Sequence, residues 1–178
     1  YIKIDFPELS DFVTNMIAVS CFLWFFLFSI PTSMLMNKYG RKNIVLLSFI
    51  VQIIGFSLIW IHYNYISVLI MFAMIGIGNT ILQVALNPLV SDVVATNKLT
   101  GTLTLGQFVK AVCSFTGPIL ASYFVPTIYG WKAVFIVYAV ISIIGFIWLS
   151  STPIEEKEKH TGTISLIDIL RLLKNNRL

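Results

Sequence analysis

From Asn43 to Ser91 the chain runs for 49 residues without a single Asp, Glu, Lys or Arg. A bilayer core of about 30 Å is crossed by about 20 apolar residues, and in lipid every backbone N–H and C=O must be bonded within its own segment or to a closed barrel. A stretch this long and this apolar therefore reads as two helical crossings. Its natural break is the polar aromatic cluster His62-Tyr63-Asn64-Tyr65. Further uncharged stretches cover 12–37, 99–109, 111–131 and 133–154. The middle two are separated only by Lys110 and read as one helix carrying a lysine within the membrane. Five spans result, over about 12–36, 43–61, 66–91, 99–125 and 132–150. With 57% of residues hydrophobic and 11% charged, against about a quarter charged in soluble domains, the expected fold is an all-α, polytopic membrane helix bundle over 1–150. Residues 151–178 are expected to form a cytoplasmic polar linker and then an amphipathic helix on the inner surface, or the lead-in to a further span, with Ile164, Leu166, Ile167, Leu170 and Leu173 at helical spacing.

Orientation follows from the cations. If the basic turn at 37–42 is cytoplasmic, nine of the twelve Lys and Arg lie inside, Lys3 and Lys132 lie outside, and Lys110 is in the membrane. The N-terminus is then outside and the C-terminus cytoplasmic, in a multi-pass protein of the inner (plasma) membrane. A chain that starts outside with Tyr1 implies one more helix upstream, entering from the cytoplasm. The net charge of +4 reports topology rather than nucleic-acid binding, because the cations flank spans instead of forming a patch.

Catalysis is not expected, nor is any metal or cofactor. Cys21 and Cys113 are isolated within spans, His62 and His160 have no ligand partner at useful spacing, and no Gly-rich phosphate loop, nucleophile elbow or carboxylate pair occurs.

The chemistry lies in the polar residues inside the spans. Asn79, Gln83 and Asn87 recur every fourth position and so share one helix face. On the next span Gln107 and Lys110, three apart, share another. Gln83 and Lys110 fall near mid-membrane, out of reach of the headgroups. An amide or ammonium at that depth must face a bundle interior or water. Two uses are open for the amides. They bond one another as interhelical glue, which applies also to Gln52, or they line a carrier site, which forms at the midplane. Asn87, beside Pro88, could instead repair the carbonyl that proline frees.

The turn "SMLMNKYGRKN" resembles the Gly-x-Leu-Ala-Asp-Arg-x-Gly-Arg-Lys signature of the major facilitator superfamily, matching at Leu35, Gly40, Arg41 and Lys42, with Lys38 conservative and Ser33 and Asn37 departing. The conjunction of "IPTSMLMNKYG", "ALNPLV" and "LTLGQFVKAVCSFTGPIL" is similar to the fucose–galactose–glucose:proton symporter family within it. The resemblance implies a partial N-terminal half of that fold, spans two to six. A first helix and a C-terminal half of the same carrier would be its partners, together with the lipid bilayer. It implies a monosaccharide substrate and proton coupling, with Gln107 at the sugar-contacting glutamine and Gln83 where the family carries a glutamate. It further implies a gating role for Asn37, Lys38, Gly40, Arg41 and Lys42. A carboxamide supplies donor and acceptor to a hydroxyl without a net charge to desolvate, so Gln83, Gln107, Asn79 and Asn87, with Lys110, are the candidate substrate contacts. A sugar-sensing receptor on the same scaffold and an inactive truncated product are the alternatives.

Overall fold

The computed structural model describes residues 2–156. The amphipathic helix expected over 164–173 lies outside the described residues. A short helix α1 (Ile2–Asp5) precedes five long ones: α2 (Asp11–Tyr39), α3 (Arg41–Ile61), α4 (Tyr65–Val93), α5 (Thr96–Phe124) and α6 (Ala133–Ser151), the last entered through a 3-10 turn at Gly130–Lys132. All five long helices are apolar enough to cross a membrane.

Local chemistry explains the boundaries. The Ser10 hydroxyl accepts from the Val13 N–H at 3.3 Å and starts α2, and the Asn64 carbonyl oxygen accepts from the Ser67 N–H at 2.7 Å and starts α4. Each satisfies a donor that the first turn leaves open. The break expected at 62–65 is thus a capped restart. The basic turn expected at 37–42 is tighter than that: α2 ends at Tyr39, α3 begins at Arg41, and Gly40 alone reverses the chain at φ +88°. Pro31, Pro88 and Pro118 lie inside helices that continue past them.

Helix α4 is the centre of the bundle, with α2 on one side and α3 on the other; α6 packs on the outside of α3. Lipid tails are as apolar as leucine, so helices associate in a membrane by close packing and interhelical hydrogen bonds. Small residues on α4 provide that approach. A methyl group at Gly76 would sit 2.3 Å from the Cys21 carbonyl oxygen of α2, and one at Gly78 would sit 2.6 Å from Cγ of Gln52 on α3. One turn beyond Gly76, the fully buried Thr80 hydroxyl donates to the Gly76 carbonyl at 2.8 Å, with the Phe25 carbonyl of α2 at 3.3 Å. Larger side chains fill the two ends, with Ile17, Phe56, Val68, Met71 and Phe135 toward one and Ile44, Val45, Ile81 and Leu89 around Ala85 toward the other. Helix α5 buries no residue among those described and packs mainly along α4, α6 and the 3-10 turn.

At the end of the bundle that carries α1, the Asp5 carboxylate accepts hydrogen bonds from the Tyr63 hydroxyl and, at 2.9 Å, from the Trp131 indole. The Lys132 ammonium lies 4.0 Å from the Tyr63 ring centre. Desolvation, then the bond to Asp5, then the carboxylate charge push the Tyr63 phenol above its ordinary pKa of about 10. The folded state therefore favours the protonated phenol. That contribution to stability is complete below about pH 10 and is lost as the pH climbs through the higher folded value. In a spectrophotometric titration, subtracting the Tyr63→Phe trace should reveal a tyrosine that ionises after the exposed ones, and Asp5→Asn should bring it earlier. Ionisation together with the other tyrosines would rule the contact out.

Candidate functional site

Helices α4 and α5 are antiparallel neighbours joined by Val94 and Ala95. Between them lies a cleft of about 270 Å³ whose lining includes Asn79, Gln83 and Asn87 from α4 and Thr102, Gln107 and Lys110 from α5. All five residues expected to meet substrate are therefore brought to one space. Its volume sits at the small end of ligand clefts, about 300–1,000 Å³, which suits a single small molecule.

The sequence sets this up through helical spacing. The α4 lining positions 79, 82, 83, 86, 87 and 90 follow the i, i+3, i+4, i+7, i+8 pattern of one face, and 102, 103, 106, 107 and 110 on α5 do the same. The opposite face of α5 presents Leu105, Phe108, Val109, Val112 and Phe115, all exposed, as a lipid-facing surface requires. Helix α5 is thus amphipathic within an apolar span, with its polar stripe turned to α4.

Counting along both helices from their shared turn at 1.5 Å per residue places the polar groups on matching levels. Asn87 and Thr102 lie about 9 Å in, Gln83 and Gln107 about 15–16 Å, and Asn79 and Lys110 about 21 Å. Gln83 and Gln107 thus stand on one level, in from the turn by about half the thickness of a core about 30 Å thick.

None of the side chains of Asn79, Gln83, Asn87, Gln107 and Lys110 has a hydrogen-bond or ionic partner among the described residues. This bears on the two uses open to the amides. Interhelical glue requires the amides to be bonded to something, and an amide without a partner in an apolar medium costs about 2–7 kcal/mol. Groups left open on a cleft wall are instead available to water or a ligand. Asn87 makes no bond that repairs the helix at Pro88, and Gln52 packs its chain over Gly78. A second groove, about 440 Å³ and lined by Val45, Phe49, Leu82, Leu86, Leu149 and others, offers only Thr152 and the Trp148 indole as polar side chains. Leu82 and Leu86 border both spaces, whereas Asn79, Gln83 and Asn87 line only the first of the two.

The turn residues are placed differently. The Arg41 guanidinium donates to the Asp92 carboxylate and, at 3.1 Å, to the Pro88 carbonyl, both at the end of α4. The backbone N–H groups of Arg41 and Lys42 donate to the Glu156 carboxylate at 2.8 and 2.7 Å. That carboxylate caps α3 where Gly40 has no side chain to do so, and a methyl at Gly40 would lie 2.9 Å from it. The Lys42 ammonium donates to the Thr152 carbonyl at 2.7 Å and the Ser150 carbonyl at 3.2 Å, closing α6. Lys38 lies 5.1 Å from the Tyr39 ring centre, and Asn37 stays on the last turn of α2. The turn is stapled to α4 and α6 by Arg41 and Lys42.

Two carboxylates in this cluster, Asp92 and Glu156, were not among the residues expected from the sequence. Asp92 does carry a signal, as the first charge after the 49-residue neutral run. Glu156 is one acid in the run Glu155-Glu156-Lys157-Glu158 and carries none.

The family model described as Major Facilitator Superfamily matches residues 7–178. No curated protein and no solved structure matches the chain.

Proposed function

The chain belongs to the major facilitator superfamily, a family of membrane transporters, and on that premise we propose that its α4–α5 cleft binds a monosaccharide carried across the inner membrane by alternating access. The observation that carries this reading is the pair Gln83 and Gln107, level with each other near the bilayer midplane, on the wall of one cleft and without partners among the described residues. A sugar hydroxyl is donor and acceptor at once, and a carboxamide answers both functions. Asn79 and Asn87 extend the same chemistry along the cleft.

In this reading the α2–α3 turn faces the cytoplasm, as its cations require, and the contacts of Arg41 and Lys42 hold that end of the half-bundle together while it rocks against the other half of the carrier. Proton cotransport supplies the driving force. Gln83 has no ionisable proton, so its part is to bind sugar rather than to carry the coupled charge.

Uptake of radiolabelled hexose by the intact carrier in sealed vesicles, with and without a pH gradient, tests the proposal. Gln107→Ala should lower saturable uptake by about tenfold or more, because the sugar hydroxyl that it leaves unpaired costs about 1–3 kcal/mol. Uptake at the wild-type level in that variant would refute the assignment. Saturable binding without entry into the vesicles would make the protein a sensor instead.

A further inference from the structure

We infer that Lys110 selects a monosaccharide bearing one carboxylate, a uronic or aldonic acid, over neutral hexoses. The inference rests on the carrier reading of the α4–α5 cleft and names the substrate class within it.

Among the described residues Lys110 is the one ionisable side chain on the cleft wall. It stands at the middle of α5, fourteen residues from either end, too deep for its ammonium to reach the headgroups without crossing the cleft. The described carboxylates lie at the two ends of the bundle and are engaged there or remote. Asp5 holds Tyr63 and Trp131, Asp11 pairs with Lys3, Asp92 with Arg41, and Glu156 caps α3. Glu8 precedes α2, and Glu155 follows α6. No described acid stands at the depth of Lys110.

A desolvated ammonium in an apolar surround is costly, and the cost rises when the cleft closes and expels water. A neutral sugar leaves that cost in place at the moment of closure. A sugar carboxylate removes it and gains a charge-assisted hydrogen bond, the stronger kind. The amides account for the remainder: Gln83 and Gln107, one level nearer the shared turn, take the hydroxyls, while Asn79, level with Lys110, can donate to the second carboxylate oxygen. A single ammonium beside neutral amides matches a single negative charge. Phosphate, with its second charge, calls for a cluster of cations or the arginine fork, and the cleft holds neither.

The test is uptake of radiolabelled D-glucuronate and D-galacturonate by the intact carrier in sealed vesicles, against D-glucose, D-galactose and glucose 6-phosphate as substrates and competitors. The wild type should favour the uronates over their neutral parents by about tenfold or more, the scale of one charge-assisted contact. Lys110→Gln should bring the two classes to within about twofold of each other, and Lys110→Arg, which keeps the charge, should retain most of the preference. The wild-type ratio decides the matter even if the Gln variant is poorly inserted. Gln107-dependent uptake of neutral hexoses that uronates do not inhibit would overturn the inference and leave the carrier reading standing, as would stronger competition by glucose 6-phosphate than by the uronates. If no sugar of either kind enters, or entry ignores Gln107, the carrier reading itself fails.

Discussion

Replacing Arg41 with Ala should destabilise the bundle more than replacing Asp92 with Ala, and the double variant should be more stable than Arg41→Ala alone. The asymmetry follows from burial. The Asp92 side chain is 2% exposed and the Arg41 side chain 26%. One Asp92 oxygen already lacks a hydrogen-bond partner among the described residues. Removing Arg41 strands a buried carboxylate, and breaking a buried pair from that side costs about 3–5 kcal/mol. Removing Asp92 leaves a guanidinium that still donates to the Pro88 carbonyl and can turn toward solvent, so the loss is closer to that of one charged hydrogen bond, about 1.5–3 kcal/mol. A double-mutant cycle on thermal unfolding in lipid nanodiscs measures the difference. Equal losses from the two single variants would mean that the pair is solvated like a surface ion pair, worth at most about 1 kcal/mol.

The second large effect belongs to a residue with no chemistry. At Gly76 the added methyl of Gly76→Ala would meet the Cys21 carbonyl oxygen at 2.3 Å and two more Cys21 backbone atoms at 3.1 Å. Backbone cannot rotate aside as a side chain can, so α2 must move off α4 or tilt against it. Overpacking of a tight contact costs about 1–3 kcal/mol and occasionally more; here the upper end applies, and Gly76→Val should prevent α2 from docking. The hydrogen bond from Thr80 toward the Phe25 carbonyl would be lost with it. Gly101→Ala is the matched control, since nothing described lies within 4 Å of its added carbon, and its stability should stay within about 0.5 kcal/mol of the parent. Fluorescence-detected gel filtration after graded heating separates the two. A Gly76→Ala protein that melts with the wild type would show that α2 and α4 stand further apart than described.

Much of the cleft was legible because the signals are local and periodic. The four-residue recurrence of Asn79, Gln83 and Asn87 fixes one face of α4, and the three-residue step from Gln107 to Lys110 fixes one face of α5, whatever the rest of the chain does. The short link between the helices then puts both stripes at the same depth. By contrast, Arg41 meets an acid 51 positions away, and the α3 N-terminus is capped by one 115 positions away. Nothing in the spacing of Asp92 or Glu156 indicates those partners, and neither acid belongs to the loop signature that the resemblance singles out. The tight turn was visible as a basic loop; that Gly40 makes it alone became plain only with the Glu156 carboxylate in place beside it.

Hydropathy and helical period, read along the chain, settle that five helices among the described residues are long and apolar enough to cross, and which side of α4 and of α5 is polar. Both follow from one physical fact, that lipid offers no hydrogen bonds, so every backbone group must close within its helix and every amide must find company off the lipid. Which helix stands at the centre is another matter. In a bilayer all apolar faces are equally content, and the choice falls to contacts a few tenths of an ångström wide, such as Gly76 against Cys21 and Gly78 against Gln52. Such fits between helices belong to no single stretch of sequence, and only the folded bundle decides them.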